Sequence, residues 1–315
     1  MDNLEILQDI LGQQLEKTLE AHGKAWLCNA WDNSFLVKKR PDAMKFDYDT
    51  AFVFAPGASL RQYEDEIHKL KGKGLVIGTN SCIHWMLEHG LEPDFVVAVD
   101  RQEEIVEDMK VWGGPVVCPT NVHPGLSRQN DCYYFNVYIA DWNKLGMMPH
   151  PIDVFYHVTY PGLWGVISVG HVTGLVLPIL EQMNRLESTK INRVVLIGAD
   201  YSYWKGMGRV PRRPGEGYPS APDEEGRILW KGHLTNYKML LYKARLFSYW
   251  QDDCPFSLYS MSKGIMPEIP GVTFDDLLAG NYPLPLTKKQ ITEICDQFLG
   301  IEMQKDFVEM IDAGQ

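Results

Sequence analysis

From Ala51 onward, short runs of apolar residues alternate with polar loops and amphipathic stretches. The runs are Ala51–Ala55, Leu75–Ile77, Phe95–Val99, Pro115–Cys118, Arg193–Ile197 and Phe256–Tyr259. Most are apolar at successive positions rather than at every second one, which predicts strands buried on both faces. Single helices are predicted between them: over Leu60–Leu70, after Ser81 up to Gly90, near Val166–Leu186, and about His233–Trp250. Strands joined by such crossovers form a parallel sheet with helices over it. Between these units Tyr133–Tyr160 is aromatic and irregular, with a strand at Tyr133–Ile139. At the start, Leu4, Leu7, Leu11, Leu15 and Leu19 recur at helical spacing and predict a helix over Leu4–Ala21 that docks on the main domain or a second subunit. A less regular connector, Trp26–Asp49, follows. The expected class is α/β, a Rossmann-like three-layer sandwich with a mostly parallel central sheet. Residues 49–282 form that domain, and residues 1–48 and 283–315 are helical terminal extensions.

Composition narrows the function. The chain of 315 residues is 45% hydrophobic and 23% charged, as folded globular proteins are. No apolar run approaches the roughly 18 residues of a spanning helix, and Met1–Gln14 is polar, so neither membrane insertion nor secretion is expected. Six cysteines without a CxxC pair fit reduced thiols in a cytoplasmic protein rather than a disulfide frame or zinc site. A formal net charge of −11 repels polyanions, so nucleic acid and anionic membrane are not expected partners. The dense basic stretch is Lys205–Arg213, inside a segment 205–222 read as a mobile basic insertion. It is either a solvated loop or a lid whose Lys205, Arg209 and Arg212 meet an anionic ligand.

Ligands of open parallel sheets bind beyond the carboxyl ends of the strands. Here those ends carry Gly57 and Ser59, Thr79 and Asn80, Asp100, Thr120 and Asn121, Asp200, and Ser260 and Ser262. The Pro56-Gly57-Ala58-Ser59 turn can cradle a phosphate or can be a plain strand-to-helix turn; it is neither a Walker A loop nor a GxGxxG fingerprint. Asp100 and Asp200 end buried strands, where a carboxylate needs a metal, a ligand hydroxyl or a hydrogen-bond donor, or else caps a helix. Tyr201-Ser202-Tyr203-Trp204 offers phenolic donors or a stacking surface, and His171 and His233 fall near predicted helix starts facing the same edge. Neither GxSxG nor HExxH is present.

The run AFVFAPGASLRQYEDEIHKLKGKGLVIGTNSCIHWMLEHGLEPDFVVAVD, Ala51–Asp100, resembles the 6-hydroxymethylpterin diphosphokinase-like (MptE-like) family, which also occurs in motility accessory factors. The motifs are Gly57-Ala58-Ser59-Leu60, Gly78-Thr79, Gly90-Leu91-Glu92-Pro93-Asp94 and Asp100; downstream, SVGHVTGLVLPILEQM, RVVLIGADYSYWKG and LYSMSKGIMPEIPGVTFDDLL extend the likeness to roughly residue 280. It departs where Ala58 replaces the usual Pro and Arg101 follows Asp100 in place of a common Pro.

That family is in turn distantly similar to glycosyltransferase family 42 sialyltransferases. The resemblance implies a nucleotide-dependent transferase, most simply a glycosyltransferase with a CMP-type sugar donor and a small-molecule, glycan or protein acceptor. Gly57, Ala58, Ser59, Thr79, Asn80, Asp100, Ser168, Thr173 and Tyr201 would then bind the nucleotide. His233, in a His-x-x-Asn stretch with Asn236, would be the base, and Asp200 and Tyr203 would complete the catalytic group. A second reading is pyrophosphate transfer from ATP to a pterin, with Mg²⁺ on Asp100 and Asp200 as its cofactor. A third is a non-catalytic ligand-binding or scaffold protein, encoded by a phage or other mobile element, that self-assembles through its terminal helices.

Overall fold

A computed structural model describes residues 20–138, 150–167, 171–220, 228–230, 233–252, 254–264 and 268–299. Ten strands lie within them: β1 (Thr50–Phe54), β2 (Leu75–Thr79), β3 (Phe95–Val97), β4 (Pro115–Pro119), β5 (Asp131–Tyr138), β6 (Gly165–Ile167), β7 (Arg193–Ile197), β8 (Ile228–Trp230), β9 (His233–Thr235) and β10 (Ser257–Ser260). Eight form one sheet in the order β10-β7-β1-β2-β3-β4-β5-β6, every pair parallel. The register places Val53 beside both Ile77 and Leu196.

The alternation of side chains sorts the strand residues into two buried layers. Ala51, Val53, Leu75, Ile77, Phe95, Val97, Val194 and Leu196 pack with helices Val172–Arg185 and Tyr237–Asp252. On the opposite face, Phe52, Phe54, Val76, Val195 and Ile197 meet helices Ile83–Glu88 and Phe274–Ala279. Val96, Val116, Cys118 and Tyr134 meet the short helices Glu104–Asp108 and Pro124–Gln129 on that same side. The sheet is therefore the middle of three layers, as the doubly apolar runs require. Among the described residues, no helix is long and apolar enough to cross a membrane.

From β1 the chain steps outward through β2 to β6, then crosses back and lays β7 and β10 on the other side of β1. The strand order thus reverses between β1 and β7, and ligands of open parallel sheets bind beyond the carboxyl ends of the strands at such a point.

Several elements differ from the sequence reading, among them helix Pro151–Thr159 in a stretch read as irregular. Leu60–Leu70 is not an α-helix but two 3₁₀ turns, Ala58–Tyr63 and Ile67–Leu70, because Leu60 N–H already closes on Gly57 O at 3.2 Å in an i→i+3 bond. Val166 lies in strand β6, and its helix starts only at Val172. The helix expected from His233 begins at Tyr237, since Asn236 Oδ1 accepts the Met239 N–H at 2.9 Å and caps it there. His233–Thr235 instead pairs antiparallel with Ile228–Trp230. Finally, the connector from Trp26 is helical through residue 33. Ala30 packs with Ile152, Tyr156 and Tyr160 around helix Pro151–Thr159, and Asn33 Nδ2 donates to the carbonyls of Thr120 and Val122, each at 2.8 Å. The leucine stripe Leu4–Leu19 lies outside the described residues.

Candidate active site

The loop leaving β1 is tied to the loop leaving β7. Ala55 N–H donates to Ile197 O at 2.9 Å and Gly57 N–H to Gly198 O at 2.8 Å. Ser59 then donates twice to Asp200, from its backbone N–H to Oδ2 at 2.9 Å and from Oγ to Oδ1 at 2.5 Å. A Cβ at Gly57 would overlap Gly198 O and the Asp200 carboxylate, so the close approach demands glycine. Gly264, after β10, faces the same constraint against the Asp200 backbone. Burial raises the Asp200 carboxyl above its usual range, against the opposing pull of Ser59, the Lys263 backbone N–H and His233. Asp200 thus clamps three loops together, and the amides of Gly57 and Ser59 are committed inside the protein rather than aimed at a ligand.

Above this floor the segment after β7 meets the β8–β9 hairpin. Tyr201 has φ +49°, a left-handed conformation uncommon for a bulky residue and characteristic of sites held by their surroundings. Its carbonyl accepts from Thr235 Oγ1 at 2.7 Å, and Tyr203 N–H donates to Leu234 O at 2.7 Å. Asn236 Nδ2 donates to the Tyr203 phenol oxygen at 2.6 Å. The Tyr201 phenol lies 2.5 Å from His171 Nε2, with its titration pushed upward by burial. The His171 ring stacks on Tyr242 at 4.9 Å, and Thr173 is buried in the first turn of the helix that follows. His233 is half-buried and close enough for its charge to act on Asp200. Asp200, Tyr201, Tyr203, Thr173, His171, His233 and Asn236 are therefore brought together, while Ser168 lies outside the described residues.

The edge at β2 to β4 is a separate polar group. Thr79 is buried with its hydroxyl on Phe54 O at 3.0 Å. Asn80 Nδ2 donates to Asp100 Oδ2 at 2.9 Å, and Asn121 Nδ2 to the Tyr156 phenol at 2.6 Å. Asp100 and Asp200 follow β3 and β7, three strand spacings apart in the sheet, about 14 Å. Each carboxylate already has protein donors, and among the described residues no group of three His, Cys, Asp or Glu could hold a metal. The two aspartates do not fit a shared Mg²⁺ site.

Residues 205–220 of the basic segment, expected to be mobile, pack over the β1 loop, with Val210 buried and its N–H on Pro56 O at 2.8 Å. Trp85 Nε1 donates to the Tyr218 phenol, and Tyr218 donates on to Glu64, each at 3.2 Å. Arg209 pairs with Glu216 at 2.6 Å, and Arg212 and Arg213 both bind the fully buried Asp108, Arg213 at 2.7 Å. Of the three cations expected at a phosphate, Arg209 and Arg212 are thus paired within the protein, whereas Lys205 lies over the Trp204 ring at 4.4 Å. Asp108 and Gly264 were not singled out in the sequence. Asp108 does leave a trace, because it shares a helical face with Ile105, Met109 and Trp112, where an acid is out of place.

Residues 30–147 match the model of the family described as 6-hydroxymethylpterin diphosphokinase MptE-like. Among solved structures, a MAf glycosyltransferase from Magnetospirillum magneticum AMB-1 aligns over 88% of this chain with a TM-score of 0.53 and 13% sequence identity. The alignment takes in 41% of that chain, so this chain spans less than half of that protein. The likeness is one of fold. A search of curated proteins finds no match.

Proposed function

For a chain whose residues 30–147 match the MptE-like family model, we propose a nucleotide-dependent transferase. Its most economical form is a glycosyltransferase that takes a sugar from a CMP-type donor and passes it to a hydroxyl of a small molecule, glycan or protein. The observation that supports it is the clustering of His233, Tyr201, Tyr203, His171 and Thr173 near the carboxyl end of β7, where the strand order reverses. The Maf-type fold supports the transferase class, although a fold by itself does not select a chemistry.

Each group has a role that follows from its partners. His233 removes the proton of the acceptor hydroxyl as a general base. Asn236 donates to the Tyr203 oxygen, which leaves the phenol O–H free to donate to the phosphate that departs with the nucleotide. Lys205, exposed beside Trp204, is the lid cation available to the same phosphate. Asp200 acts through Ser59 and the loops it holds. No Mg²⁺ enters this scheme, in keeping with the separation of Asp100 and Asp200.

The test is a thermal-shift titration of the full chain with CMP, CDP, UDP, GDP, ATP and a hydroxymethylpterin, each with and without Mg²⁺. Stabilisation by a cytidine nucleotide without metal supports the reading. Stabilisation by ATP or the pterin alone, and only with Mg²⁺, replaces it with pyrophosphate transfer, and no response to any of them points to a scaffold.

A further inference from the structure

Arg101 follows β3 at the carboxyl edge of the sheet, where its guanidinium carbon sits 3.8 Å from the centre of the Trp26 ring. Its Nε is enclosed and has no hydrogen-bond partner. Asp100, the adjacent acid, accepts from Asn80 Nδ2 and lies 3.9 Å from Arg212 Nη2. Burial lowers the affinity of Arg101 for its proton, against the opposing pull of Tyr156 and Asp100. A guanidinium N–H enclosed without an acceptor is costly, so this Nε calls for one.

The neighbours are also incomplete. Asn80 Oδ1 and Asn121 Oδ1 are buried without partners, although the other end of each amide is bonded, to Asp100 and to the Tyr156 phenol. Asn29 Nδ2 bridges the Arg101 and Asn121 carbonyls at 3.0 and 3.4 Å, so the two residues are held side by side. The strands that deliver them, β2, β3 and β4, are adjacent in the sheet.

We infer that Arg101, backed by Trp26 and flanked by Asn80 and Asn121, forms an anion-binding subsite for a carboxylate or phosphate carried on a polyol. The flat, forked guanidinium matches a planar or tetrahedral oxyanion through paired N–H donors. The two free amide oxygens accept from hydroxyls beside that anion. Arg101 follows β3, two strand spacings from β1, about 10 Å, so the anion itself would sit to one side of β1 and β7, with Asn80 at the end of β2 between them. The subsite does not depend on the nucleotide reading.

The test uses the full chain without nucleotide, titrated by calorimetry with glucuronate, glucose 6-phosphate and uncharged glucose. Binding of one or both acids, but not of glucose, is expected, and the preferred acid tells carboxylate from phosphate. Arg101→Gln should weaken that binding by about 10- to 100-fold, the scale of a lost charge-assisted hydrogen bond. Because Arg101→Gln can unsettle the fold, Asn121→Asp is the second variant: it places a carboxylate beside Arg101, so it should preserve or raise the melting temperature while abolishing binding. Failure of wild type to bind either acid, or equal affinity in wild type and Asn121→Asp, overturns the inference.

Discussion

Ser59 meets Asp200 twice, through its backbone N–H at 2.9 Å and its hydroxyl at 2.5 Å, across the point where the sheet reverses its winding. This contact fixes the β1 loop relative to β7. Ser59→Ala keeps the backbone bond and removes the hydroxyl from a carboxylate that is almost fully buried. The expected cost is about 1–3 kcal/mol of unfolding free energy, read from urea denaturation.

That loss depends on pH in a definite direction. Burial raises the Asp200 carboxyl, so the folded protein holds this proton more tightly than the unfolded chain. The group's contribution to stability is fully present below the unfolded pKa and is lost as pH rises through the folded one. Ser59 offsets part of that loss by favouring the ionised form. The gap between wild type and Ser59→Ala should therefore be widest at neutral pH and narrow as Asp200 becomes protonated. A gap that widens toward acid would show that Asp200 is not the group responsible.

Gly264 provides an independent check on the same packing. An added Cβ would overlap the Asp200 backbone, and backbone cannot move aside as a flexible side chain can. Gly264→Ala should cost about 1–3 kcal/mol, similar to Gly57→Ala, by overpacking. Gly113→Ala, whose Cβ would meet nothing within 4 Å, serves as the control and should change stability little.

The strap formed by residues 205–220 is held by Asp108, which has no side-chain exposure and binds Arg212 and Arg213. The two arginines retain side-chain exposures of 29% and 46%, so they can turn to water if the acid is removed. Asp108 cannot. Replacing both arginines with alanine leaves a buried carboxylate unpaired and should cost about 3–5 kcal/mol. Asp108→Asn should cost less, while still exposing the strap to limited proteolysis. The reverse order of stabilities would mean that Asp108 draws its support from other groups.

The sheet was legible in the chain because strands buried on both faces must be apolar throughout, and Ala51–Ala55, Leu75–Ile77 and Val194–Ile197 all obey this. The candidate site was legible as far as the strand ends announce it. What the sequence hid was set by tertiary contacts. Asp200 reads equally well as a metal ligand, a cap or a clamp until Ser59, 141 residues earlier, is seen to occupy it. His233 was placed at a helix start because local pattern does not reveal that Asn236 caps the helix four residues later in the chain than expected, leaving His233 in a hairpin. The basic segment looked mobile because its acidic partner Asp108 is more than a hundred residues away.

His233→Ala separates positioning from chemistry. His233 stands half-buried on the hairpin, and the bonds that anchor that hairpin to the site come from Leu234, Thr235 and Asn236. Removing the imidazole should therefore leave the fold and the nucleotide-induced thermal shift essentially unchanged. If His233 takes the acceptor proton, the turnover number should fall by about 10²- to 10⁴-fold. Asn236→Ala should behave differently, because it releases Tyr203 and uncaps helix Tyr237–Asp252 together, lowering stability by about 1 kcal/mol as well as turnover. Single-turnover rates with a cytidine-activated sugar, compared with nucleotide binding measured on the same samples, distinguish the two. Unchanged turnover in His233→Ala would remove the imidazole from the mechanism and return the proton transfer to another group at the site, with His171, already 2.5 Å from the Tyr201 phenol, the next to replace.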